Sequence, residues 1–175
     1  MRRLLLYLWT APATLPALAV GYACVAFGGS RIHKQDGVWE FYGGIMAKVL
    51  DLIGLPGIGG MPAMTIGHVI WARNRRELRK WRRHEFVHVG QFERWGVFVI
   101  PAFYLSALWL VLRGRHPYYD NPIEREAYGK VAFPHAVEGL PRPAEARPQV
   151  APMRLKEALL KPQLLAMRPA PAPRA

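Results

Sequence analysis

The sequence predicts a mainly helical α+β protein held at a membrane. Three observations carry that expectation: an uncharged stretch at residues 4–27, a run of strand-forming residues at 64–71 leading into a long helix-forming one, and a second uncharged run at 96–112. Hydrophobic residues make up 51% of the 175 and charged ones 21%, so burying a core is no difficulty. The 24 Lys and Arg outnumber the 12 Asp and Glu, and a balance of +12 favours an anionic partner. Beside so much apolar sequence, membrane lipid suits that charge better than nucleic acid. Cys24 stands alone, which excludes an intrachain disulfide and the Cys-rich zinc ribbons. Any metal site must therefore be built from His and carboxylate.

Residues 1–30 form the expected anchor. The uncharged run is long enough to cross a bilayer as a helix, and Arg2 and Arg3 precede it. The Ala-Leu-Ala at 17–19 resembles a cleavage site, but the apolar run continues well past it, so an uncleaved anchor is expected. Pro12 and Pro16 predict a kink or a break. Next, GVWEFY at 37–42 is rich in strand formers, whereas 45–53 suits a helix or a strand equally. LPGIGGMP at 55–62 is a turn-rich linker. MTIGHVIW at 64–71 predicts one strand, and 72–95 a helix that nothing breaks before Gly90 and Gly96. In DNPIEREAYGK, Asp120 or Asn121 caps a short helix that has Pro122 at its first position and acids in its first turn. These pieces make a metal-binding domain over 31–135 that includes the apolar helix 96–112. The remainder, 136–175, is a Pro/Ala/Arg-rich tail expected to be disordered, with one short helix near 153–160.

The chemistry is concentrated in WRRHEFVHVGQFERW at 81–95. Residues four apart share a helix face, so His84 and His88 are spaced to bind one cation through two imidazoles. Glu85 lies about 100° round the helix, placed to reach a water on that cation as a base rather than to ligate it. Gln91 is one step further along the same face. Such a motif also arises by chance on ordinary helix surface. Its helical setting, the strand-like segment before it and the acidic cluster after it favour the metal.

HEFVH together with Glu124-Arg125-Glu126-Ala127 resembles the gluzincin branch of zinc metallopeptidases, whose downstream helix carries Glu-x-x-Ala or Glu-x-Glu-Ala. The resemblance covers roughly residues 63–130. It implies His84 and His88 as ligands, Glu85 as base and Glu124 as third ligand, with Glu126 as the fallback. The cofactor it implies is Zn2+, although a His₂Glu set also accepts other divalent ions. Tyr128 stands where many gluzincins carry an Asp that orients a ligand histidine. The chain as a whole resembles small bacterial membrane proteins with HExxHxxQ and NPxExEA segments, which implies an inner-membrane location and no particular substrate.

Other candidates have two readings each. His68 is a contact to substrate or metal, or a satisfied structural histidine. His116, Tyr118, Tyr119 and His135 lie near the third ligand in sequence and are candidates to stabilise an oxyanion. Arg75, Arg76, Arg79, Lys80, Arg82 and Arg83 form a basic face for anionic lipid, for nucleic acid, or for water alone. Trp71, Trp81, Trp95 and Trp109 suit a membrane-interface belt or helix packing. The expected function is a membrane-associated zinc hydrolase acting on a peptide or protein. The alternatives are a catalytically inactive membrane scaffold and a lipid or nucleic-acid binding module.

Topology constrains these readings. If 96–112 spanned the bilayer, Glu124 would begin on the side opposite His84, and returning would drag irregular backbone through lipid. With Glu124 as a ligand, this apolar helix must pack beneath the site or dip into one leaflet. Placing both Arg2–Arg3 and the 73–83 cluster on the cytoplasmic side would require a re-entrant first segment bent at Pro12–Pro16. A plain single span with the site outside is the alternative.

Overall fold

The computed structural model describes residues 2–53 and 61–131. Most of the 55–62 linker, His135, the 153–160 helix and the tail at 136–175 lie outside the described residues. Helix α1 (Arg2–Gly28) runs without interruption through Pro12 and Pro16, about 40 Å at 1.5 Å per residue. The break expected at those prolines is absent. Within this stretch the Thr10 hydroxyl donates to Leu6 O, 2.9 Å away.

Strands β1 (Arg31–Gln35) and β2 (Val38–Tyr42) form a hairpin. Its two-residue turn, Asp36-Gly37, has φ of 54° and 87°, the paired left-handed geometry that matches strand twist. Helix α2 (Met46–Ile53) resolves the ambiguity at 45–53 in favour of helix. Strands β3 (Ala63–Ile66) and β4 (Val69–Ala72) then pair antiparallel. The single strand expected over 64–71 is thus a hairpin, turned at Gly67-His68. Gly67 sits at φ 63°, and a Cβ there would press on Thr14 of α1. The sheet order is β1-β2-β4-β3, with β2 and β4 parallel and β3 at the edge.

Alternate residues of β2 and β4 serve two cores. Phe41, Val69 and Trp71 pack with Ala17 and Cys24 of α1 and with Met46 and Leu50 of α2. Val38, Ile70 and Ala72 pack on the other face against Leu78, Trp81 and Val89 of helix α3 (Arg75–Trp95). Because β4 is covered on both faces, all four of its residues are buried. The Asn74 side chain caps α3 by accepting from the Glu77 backbone N–H at 2.9 Å. Gly96, at φ 59°, ends it.

A 3₁₀ turn leads into α4 (Val99–Leu112), and α5 (Pro122–Lys130) follows. The buried Asn121 caps α5 through its Oδ1 and donates from Nδ2 to Phe103 O at 3.1 Å. The chain beyond α4 therefore returns to the level of that helix's second turn, which places the start of α5 there. Two helical stretches, Arg3–Gly28 and Arg75–Leu112, are long and apolar enough to cross a membrane. The apolar part of the second is 96–112. Leu4, Leu5, Leu8 and Leu15 of α1 and Leu105, Leu108, Trp109 and Leu112 of α4 are all exposed.

Candidate metal centre

Helix α3 supplies two imidazoles one turn apart, and α5 crosses it to supply a carboxylate. His84 Nε2 and His88 Nε2 are 3.1 Å apart, His84 Nε2 lies 3.3 Å from Glu124 Oε2, and His88 Nε2 lies 3.6 Å from Glu124 Oε1. Ligand atoms around a tetrahedral ion with metal–ligand bonds near 2.0–2.1 Å are separated by about 3.3–3.4 Å. The three side chains are buried and stand at the spacing that such an ion requires. His84 Nδ1 and Glu124 Oε2 are buried with no hydrogen-bond partner, so Glu124 keeps a free acceptor aimed into the cluster. A His₂Glu group therefore fits a divalent cation.

Charge balance points the same way. Burial disfavours an imidazolium at His88, but the Glu124 carboxylate facing it, with Glu85 and Gln91, outweighs burial and lifts the imidazole to about 9. Burial would raise Glu124, yet the His84 and His88 rings facing it hold it down at about 2. Without a cation, the buried carboxylate and the imidazoles facing it balance one another's charge. Glu85 is a separate case: burial pushes its carboxyl up, only partly opposed by His88, His84 and the Thr65 hydroxyl. Thr65, on edge strand β3, donates to Glu85 Oε2 at 2.6 Å.

Gln91 locks the arrangement. Its Nε2 donates to Ile123 O at 2.9 Å and to Glu126 Oε2 at 3.0 Å, which turns Oε1 toward His88 Nδ1 at 2.8 Å. One side chain thereby orients a ligand of α3 and fastens α5 beside it. His84 has no equivalent. The Tyr128 ring packs against it with centroids 4.6 Å apart, and its Nδ1 is buried without a hydrogen-bond partner.

A cavity of about 160 Å³ opens on this group. Glu85, His88, Glu124, Thr65 and Tyr118 line its polar end, and Met64, Phe92, Val99, Ile100, Phe103 and Tyr104 line the rest. Burial pushes the Tyr118 phenol up, so it stays protonated, and it is hydrogen-bonded to Tyr128. The other sequence candidates lie elsewhere. Glu126 pairs with Lys130, Arg94 and Gln91 rather than joining the triad. His68 bonds to Thr10 Oγ1 at 2.8 Å and to Glu93 Oε1 at 3.1 Å, pinning the β3–β4 turn between α1 and α3. His116 accepts from the backbone N–H groups of Tyr118 and Tyr119, and the Tyr119 ring stacks on it. Both shape the loop before α5.

The basic face divides. Arg75, Arg76, Arg79, Lys80 and Arg83 are exposed. Arg82 instead donates from Nε and Nη2 to the fully buried Glu40 of β2, both at 2.7 Å. Thr65, Glu40 and the α4 wall of the cavity carried no motif in the sequence. A lone threonine in an apolar strand was the nearest available sign of Thr65. Searches against protein-family models, curated proteins and solved structures find no match to this chain.

Proposed function

We propose that the protein is a membrane-associated, zinc-dependent hydrolase, a minimal gluzincin-like metallopeptidase acting on a peptide or protein. The convergence of His84, His88 and Glu124 beside a buried Glu85 carries the reading. A zinc ion held by those three groups supplies Lewis acidity there, lowering the pKa of a water toward neutrality and polarising a carbonyl. Glu85, with its carboxyl raised by burial, accepts a proton and returns it to the leaving amine. Tyr118, kept protonated beside Glu124, turns its hydroxyl from Tyr128 to a developing oxyanion. The edge strand β3 lines the cavity, and a sheet edge suits an extended peptide. Exposed apolar α1 and α4 support attachment to the bilayer.

The test uses the full-length protein in lipid nanodiscs, with elemental analysis beside a His84→Ala/His88→Ala control and digestion of quenched fluorescent peptide mixtures. One zinc per chain that the control lacks is expected. Glu85→Gln should keep the zinc and lose hydrolysis by about 10²–10⁴-fold. Zinc retention with no hydrolysis by the unaltered chain would favour a scaffold with a structural metal. A chain that binds no divalent ion would end the proposal.

A further inference from the structure

The cavity beside the metal centre says more about what enters it. At about 160 Å³ it is close to the ~150 Å³ space that encloses a single benzene. That is enclosed room for one Leu- or Phe-sized group, and a long acyl chain would run out of it. One wall is α4, through Ile100, Phe103 and Tyr104. The same helix turns Leu105, Leu108, Trp109 and Leu112 outward, 55–67% exposed, within a run that carries no charge from 96 to 112. Tyr104 belongs to both sides: it lines the cavity and is 50% exposed. The wall of the cavity is thus also outer surface suited to hydrocarbon, not water.

Building on the hydrolase reading above, we propose that the site acts on a membrane-embedded polypeptide, whose bulky apolar side chain enters past α4 while the bond to be cut is presented to Glu85 at the bilayer boundary. The polar end of the cavity, with Glu85, His88, Glu124 and Tyr118, holds the carbonyl side. The apolar end holds the side chain. A membrane-embedded segment brings that side chain already surrounded by hydrocarbon, so its transfer into the cavity requires no passage through water.

The test uses the zinc-loaded full chain in phosphatidylcholine nanodiscs and three metal-directed probes: acetohydroxamate, 3-phenylpropanohydroxamate and tetradecanohydroxamate. The phenyl probe should bind about 10–100-fold more tightly than the acetyl one, as burying one such group implies. At equal mole fraction in the bilayer, the tetradecyl probe should gain nothing further. Ile100→Trp, which fills the cavity, should bring the phenyl-to-acetyl ratio toward one. Independently of that variant's folding, p-benzoylphenylalanine in place of Tyr104 should photolabel lipid in the probe-free protein and do so less with the phenyl probe bound. Equal affinities, stronger binding of the long chain, or no lipid adduct at position 104 overturns the inference while zinc stoichiometry leaves the metal centre intact. Absence of zinc from the same preparation overturns the hydrolase reading itself, and the inference with it.

Discussion

His88 and Gln91 face each other across one turn of α3, with 2.8 Å between His88 Nδ1 and Gln91 Oε1. The amide has no choice of orientation, because its Nε2 is engaged by Ile123 O and Glu126 Oε2. His88 Nδ1 must therefore carry the proton, and Nε2 is left with the lone pair that a metal ligand needs. Gln91→Ala removes that control and also loosens α5, which carries Glu124. Zinc affinity, measured by competition with a chromophoric chelator, should fall about 10–100-fold. Unchanged affinity would show that His88 is oriented by packing alone.

Protons compete with the cation at these side chains. Metal-free His88 is lifted from its ordinary 6.5 to about 9, despite burial, by Glu124, which itself is held at about 2 against an ordinary 4.5. A raised imidazole stabilises the fold fully below about pH 6.5, and that contribution is lost as pH rises toward 9. A depressed carboxyl stabilises above about pH 4.5, and that is lost as pH falls toward 2. In chelator, thermal stability in micelles should therefore decline above pH 6.5. Binding requires neutral imidazole, so stabilisation by added zinc should grow with pH over the same interval and offset the decline. Parallel curves with and without zinc would contradict the linkage.

Features written in short local patterns were legible in the sequence. The spacing of His84 and His88 and the cap at Asn121-Pro122 each rest on a few adjacent residues, and both helices form accordingly. The hairpin at 31–42 was half legible. β1 is exposed along nearly its whole length, so Arg31–Gln35 shows no apolar alternation, and only Asp36-Gly37 marks the turn. β4 hides its boundary for the opposite reason: buried on both faces, it has no polar face to set it apart from β3. Arg82 was invisible within a basic run, because its partner Glu40 lies 42 residues earlier in another element.

That hidden pair separates structural from surface charge. Glu40 is fully buried and accepts two bonds from Arg82 and one from His33 Nδ1 at 2.9 Å. Arg82→Met strands a buried carboxylate, which typically costs about 3–5 kcal/mol. Thermal or denaturant unfolding should show a loss of that order, largely restored by adding Glu40→Leu. Arg75→Gln/Arg76→Gln/Arg79→Gln, all at exposed positions, should leave stability nearly unchanged. If this face meets anionic lipid, the triple variant should instead weaken salt-sensitive binding to phosphatidylserine vesicles.

Thr65 and Glu85 provide the most direct test of chemistry. The Thr65 hydroxyl donates to Glu85 Oε2 at 2.6 Å and lies 3.2 Å from Glu85 O, so strand β3 fixes both the position and the acidity of the proposed base. Burial raises that carboxyl, and the threonine bond is one of the effects opposing the rise. Thr65→Val keeps the shape and deletes the donor, so the carboxyl must move further up. A bond to a charged group is worth about 1.5–3 kcal/mol, equivalent to about one to two pH units. The acidic limb of the kcat/KM profile should shift to higher pH by up to that amount, because the base stays protonated longer as pH rises. Thr65→Ser should restore the limb, and zinc content should be the same in all three proteins. An unmoved limb at full zinc occupancy would assign the titrating group to some residue other than Glu85.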